Sequence, residues 1–278
     1  MIHSFALPLD ETLTIRGDLH LPRETGEKLP VLLFCHGFKG FKDWGSFPYA
    51  AEQLAQQGIA VIRFNFSCNG VGASLTEFDE LDKFAINTYA RELADLQALV
   101  GWLNDDRLPA AHLLDKERLF LLGHSKGGGD AILFGANHPQ VRGIVTWNGI
   151  AHVNLFGEEL RSQIARQGVG YILNSRTQQQ MPISRVVIDD VDQNAAAYDL
   201  VAKVSGMRQP LLLVQGDEDA QRLVEGAKKL HAAARNGRLH WVKGAGHTFN
   251  TVHPFAGTTP QLEEAIDVTA RFVLEHSG

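Results

Sequence analysis

The chain has 278 residues, 44% of them hydrophobic and 21% charged, which allows one large α/β domain or two small ones. Its formal net charge of −6 provides no basic footprint for nucleic acid and no polybasic membrane patch. Two cysteines, Cys35 and Cys68, lie far apart and predict buried free thiols rather than a disulfide framework, and no paired Cys/His spacing suggests zinc.

The first residues, MIHSFALPLDETLTIRGDLHLP, contain no basic segment followed by an apolar core. No signal peptide is expected, no run reaches the ~18 apolar residues of a membrane span, and the default location is the cytoplasm. Alternation over residues 13–21 predicts an early strand that Pro22 ends. The run PVLLFC at 30–35, bounded by Pro30 and Gly37, suits a strand buried on both faces. Residues 46–57 read as a helix stopped by Gly58, and IAVIRF at 59–64 as a second buried strand. Residues 83–104 carry Leu93, Leu96, Val100 and Leu103 at helical spacing. A strand at 118–122 precedes a helix at 126–137 that His138-Pro139 closes. Strands at 142–147, 210–214 and 238–242 and helices at 221–234 and 261–275 complete the series.

Short apolar strands alternating with amphipathic helices predict an α/β fold, a doubly wound and mostly parallel sheet with helices on both faces. Residues 150–209 break this rhythm, because they are far longer than an ordinary connection. They are read as a cap insertion containing a hairpin around Thr177 to Gln180, with 1–149 and 210–278 forming the core. Phe156 and Tyr171 are expected to shape a pocket from that cap. The acidic run Asp189-Asp190-Val191-Asp192 is read as a solvated loop in the cap rather than a cation site.

Between the strand at 118–122 and the helix after it stands Gly123-His124-Ser125-Lys126-Gly127. This is G-x-S-x-G in the setting of a nucleophile elbow, a sharp turn that exposes one serine beside a helix N-terminus. A reactive serine needs a base, a group to orient the base, and donors for the oxyanion. The Lys126 N–H follows the nucleophile directly and is the first donor. His36-Gly37-Phe38 follows the earlier strand at 30–35, and the Phe38 N–H is the second.

His247, in Gly244-Ala245-Gly246-His247 after the last strand, is the expected base among 12 histidines. His240 lies within that strand, His253 lacks the glycine setting, and His36 belongs to the oxyanion loop. The orienting acid should follow the strand at 210–214, where Asp217 and Asp219 both stand. Asp219 is favoured, with Asp217 more suited to bonding backbone N–H groups two residues on. No GxxxxGK[ST] or GxGxxG signature calls for phosphate or dinucleotide, so no metal or organic cofactor is expected.

With these residues in place, the chain resembles the α/β-hydrolase superfamily over about residues 13 to 275. The resemblance is carried by HGFKG at 36–40, NGVGAS at 69–74, GHSKGG at 123–128, GDED at 216–219 and GAGH at 244–247, in the chain order Ser, Asp, His. It is strongest toward small serine-aminopeptidase-like and dienelactone-hydrolase-like esterases, although Lys126 stands where glutamine or methionine is more familiar. The resemblance implies a carboxylic-ester hydrolase acting on a small molecule through an acyl-enzyme. A peptidase, a thioesterase and a non-catalytic binding protein on the same fold are the competing readings. Nothing in the sequence marks an anchor for a peptide amine or a CoA phosphate.

Overall fold

The computed structural model describes residues 1–24 and 26–278. The first half of the chain forms strands β1 (Ile2–Pro8), β2 (Thr14–His20) and β3 (Leu29–Cys35), helix α1 (Phe47–Gln56), β4 (Ala60–Asn65), α2 (Leu81–Ala85), α3 (Tyr89–Asn104) and β5 (Leu114–His124). Helix α4 (Lys126–Asn137), β6 (Val141–Trp147), α5 (Glu158–Gln167), β7 (Val169–Asn174), β8 (Gln179–Ser184), α6 (Arg185–Gln193) and α7 (Leu200–Gly206) follow. The last elements are β9 (Leu211–Gly216), α8 (Gln221–Ala233), β10 (Gly237–Val242) and α9 (Pro260–Glu275).

Eight strands form one sheet in the order β1-β2-β4-β3-β5-β6-β9-β10. The six from β4 to β10 pair in parallel, and β1 and β2 add an antiparallel edge. The parallel strands read as continuous apolar runs because both faces are covered. In β3, Val31, Leu33 and Cys35 join one core cluster with residues of α3, α4, α7 and α8. Leu32 and Phe34 join the other, with residues of α1 and α9. Parallel pairing also brings the C-terminal ends of β3, β5, β9 and β10 to one edge, where ligand sites of such sheets form.

The structure departs from the sequence-based expectations at several places. Strand β1 has no counterpart in it: six of its seven residues lie on an open sheet edge and are not buried, so no continuous apolar run marks it. The helix expected over 83–104 is two. Thr88 stops the continuation and caps α3, its hydroxyl accepting the Arg91 N–H at 3.1 Å. The hairpin turn falls at 175–178, between β7 and β8. The acidic run at 189–192 is not a solvated loop but part of α6. There Asp190 accepts the Tyr89 N–H at 3.0 Å at the start of α3, and Tyr198 donates its hydroxyl to the same carboxylate at 3.1 Å. Cys35 and Cys68 are buried and free.

Residues 150–209 leave the main sheet between β6 and β9 and contain the two-stranded β7–β8 sheet. A third apolar cluster ties that excursion to the loops of the core, joining Phe156, Met181, Ile183 and Val187 to Phe41, Phe78 and Phe84. No helix among the described residues is long and apolar enough to cross a membrane.

Candidate active site

Ser125 occupies the turn from β5 into α4 at φ 55° and ψ −117°, a conformation a serine adopts only under constraint. The constraint comes from close packing on either side. A Cβ on Gly123 would lie 2.0 Å from the Gly127 carbonyl oxygen, and one on Gly127 would lie 2.3 Å from that of Cys35. Only glycine fits at either position, so the G-x-S-x-G spacing is a packing requirement of the elbow.

The Ser125 Oγ lies 3.0 Å from Nε2 of His247, whose Nδ1 lies 2.9 Å from Oδ2 of Asp219. The three residues come from the ends of β5, β9 and β10, so the sheet edge brings them together. The Asp219 carboxylate is almost fully buried, which alone would raise its pKa. Hydrogen bonds from the His247 ring, the charge that ring can carry, and donors at Ala220 and Gln215 outweigh burial and hold it below the usual value. Asp217 faces elsewhere and accepts the Gly244 N–H at 2.7 Å. It therefore fastens two loops to each other, rather than bonding two residues on as the sequence suggested.

The other histidines have separate partners. His240 sits 2.7 Å from Glu264 across the helix–strand interface. His253 accepts the Gly45 N–H at 2.8 Å through Nδ1 and stacks on Trp44. His36 is buried, with Nδ1 3.0 Å from the Gly37 carbonyl, and burial lowers its pKa to about 4. It is a neutral scaffold of the loop that carries Phe38.

That loop is a tight turn, with Gly40 N–H donating to the Gly37 carbonyl at 3.0 Å. A buried ion network holds its far end. Lys42 contacts Asp18 at 2.6 Å, Arg63 contacts the same carboxylate at 2.9 Å, and the Lys42 N–H donates to Asn65 at 2.6 Å. Neither the Phe38 N–H nor the Lys126 N–H donates to an acceptor among the described residues. The Lys126 side chain is buried between Glu92 and Asp130, 3.9 Å over the Tyr89 ring. Its charge is thus committed behind the elbow, which accounts for a lysine at this position without giving the ammonium a place in the site.

A cavity of about 220 Å³ opens beside Ser125 and His247, lined also by Phe38, Trp44, Phe47 and the 174–176 turn. A smaller apolar cavity shares Phe38 with the first and is lined also by Phe84, Tyr89, Lys126, Phe156 and Val187. Phe156 packs edge-on to Phe38 at 5.9 Å between centroids. Tyr171, expected to share this role, is 48% exposed and lines neither cavity.

Two supporting residues escaped the sequence reading. His124 Nε2–H and Asn148 Nδ2–H both donate to the His247 carbonyl at 2.9 Å, and Asn148 Oδ1 accepts the Gly216 N–H at 2.8 Å. Burial lowers the His124 pKa to about 3, with the nearby His247 ring adding to the effect, so the ring is neutral. His124 thus holds the His247 loop to the end of β5, and Asn148 ties that loop to the end of β9, just before Asp219. His124 sits inside the serine motif, which is the one signal that could have found it.

Comparison with known proteins agrees with this architecture. A family profile described as serine aminopeptidase, S33, matches residues 26–179. Est1E from Butyrivibrio proteoclasticus superposes with a TM-score of 0.69 at 16% identity, covering 98% of each chain. The esterase domain of a Rhodothermus marinus protein gives 0.67 at 18% identity over 100% of both. A dienelactone hydrolase from Anabaena variabilis gives 0.63 at 17%, covering 100% of this chain and 99% of the other. No curated protein sequence matches the chain. At these identities the solved structures establish the fold, a mostly parallel α/β-hydrolase sheet. With the profile spanning more than half of its length, the chain belongs to the serine aminopeptidase S33 family of α/β hydrolases.

Proposed function

We propose that the protein is a serine hydrolase that cleaves carboxylic esters through an acyl-enzyme. The observation that carries this reading is the continuous chain from Ser125 Oγ through the His247 ring to Asp219, starting at a strained elbow beside two free N–H groups. His247 takes the Ser125 proton as the oxygen attacks the ester carbonyl. Asp219 keeps the proton on Nδ1 and stabilises the imidazolium. The Phe38 and Lys126 N–H groups donate hydrogen bonds to the developing oxyanion. His247 then protonates the departing alkoxide, activates water, and the acid is released.

The family description points toward an N-terminal peptide bond. A substrate α-ammonium group needs a carboxylate close to the scissile bond, and no Asp or Glu lines the cavity beside Ser125 among the described residues. That favours a simple ester. Residues 150–209 are proposed to act as a cap on a core of 1–149 and 210–278, with Phe156 limiting the acyl side.

A fluorophosphonate probe should label Ser125 and fail to label Ser125→Ala, which should also lose p-nitrophenyl ester turnover while melting normally. Labelling at another serine, or faster release from an amino-acid p-nitroanilide than from the esters, would overturn the reading.

A further inference from the structure

We propose that the cavity beside Ser125 carries an anion-binding subsite, formed by Lys39, Asn174 and Arg176, that takes a carboxylate borne by the ester substrate. The proposal rests on the ester-hydrolase reading above. In a chain with a net charge of −6, both charged residues lining this cavity are cationic, Lys39 and Arg176. Among the described residues neither pairs with a carboxylate. The Lys39 ammonium donates to the Leu173 carbonyl at 3.3 Å, and the Arg176 guanidinium donates to the Lys39 carbonyl at 2.9 Å. Two like charges thus share one rim without a counter-ion. Burial and the Arg176 charge both act to lower the Lys39 pKa, a cost that a bound anion would relieve.

Asn174 supplies the third, independent observation. It is only 2% exposed, it lines the same cavity, and its Nδ2 has no hydrogen-bond partner. Its Oδ1 accepts the Arg176 N–H at 3.2 Å, which fixes the amide orientation and leaves Nδ2–H as the free donor. A buried donor without an acceptor is costly unless a ligand completes it. The set of ammonium, guanidinium and amide N–H contains donors only, and the complementary group is an acceptor-only carboxylate. The subsite spans two separate parts of the chain, the turn after β3 and the end of β7. Lys39 also keeps its side chain at φ 55°, where glycine would be less strained.

The test compares matched esters. The 4-nitrophenyl hemiglutarate is set against 4-nitrophenyl valerate, and 4-acetoxybenzoate against phenyl acetate, so that the carboxylate sits on the acyl or the alcohol side. In at least one pair the anionic member should have the higher kcat/KM by about tenfold, the scale of one charge-assisted hydrogen bond. That ratio should collapse in Lys39→Gln and Arg176→Gln and shrink as salt is raised. Neutral members preferred in both pairs, or a ratio untouched by either substitution, would overturn the subsite while leaving the hydrolase intact. Failure of the hydrolase reading looks different: no ester is turned over and Ser125 resists fluorophosphonate. Binding then still decides the subsite, because glutarate should raise the melting temperature of the native protein and not of Arg176→Gln. An equal rise in both would refute it.

Discussion

Replacing Asp219 with asparagine changes one atom of the site and exposes how the hydrogen bonds are shared. The carboxylate has two demands. Oδ1 accepts the Ala220 N–H at 2.7 Å, and Oδ2 accepts from His247 Nδ1 at 2.9 Å and Gln215 Nε2 at 3.3 Å. An amide can meet only one of them. The Ala220 N–H belongs to the backbone at the start of α8 and cannot turn away, whereas Gln215 has a second acceptor in the Gly216 carbonyl at 3.1 Å. The new NH₂ therefore faces His247. The ring must then accept at Nδ1 and carry its proton on Nε2, where it can no longer take the Ser125 proton. A wrong tautomer of this kind costs ~10⁴ in turnover, about 5 kcal/mol of barrier, in the serine-protease template. Asp217→Asn keeps an acceptor for the Gly244 N–H and should stay close to the native rate. The assay is kcat on a p-nitrophenyl ester for both variants, with melting curves to confirm folding. Near-native turnover in Asp219→Asn, beside a large loss in Asp217→Asn, would refute the reasoning.

Three further outcomes are expected. Gly127→Ala places a Cβ 2.3 Å from a backbone oxygen of β3, so it should cost more than about 2 kcal/mol and lower the melting temperature by several degrees; an unchanged melt would contradict the elbow packing. Phe156→Ala enlarges the small cavity that Phe156 and Phe38 line and should move relative rates toward longer acyl chains in a p-nitrophenyl ester series, whereas an unchanged profile would place the acyl group elsewhere. His124, with its folded pKa lowered to about 3 from 6.5, makes the unfolded chain bind the extra proton between those values. Its stability contribution is full above about pH 6.5 and is lost as pH falls toward 3, at no more than ~1.4 kcal/mol per pH unit. Denaturant titrations from pH 7 to 4 should therefore show native stability falling more steeply than that of His124→Gln, and parallel curves would rule the effect out.

The order of strands and helices was legible in the sequence because a parallel sheet buried on both faces writes itself as short apolar runs. β3 and β4 are buried at every position. The elbow was legible for a related reason, since only glycine fits on either side of Ser125. The open edge strand β1 was not, because most of its residues are unburied and its pairing with β2 depends on residues 14–20 being in place. Local sequence could not choose firmly between Asp217 and Asp219. Both follow β9 by a few residues, and only the folded loop sends one toward His247 and the other toward Gly244. Tertiary structure alone also revealed His124 and Asn148 bonded to the His247 carbonyl, the buried partners of Lys126, and the meeting of Lys39 with Asn174 and Arg176 across more than 130 positions of chain. Spacing along one segment carries no record of contacts between distant segments, which exist only once the sheet has brought its strand ends to one edge.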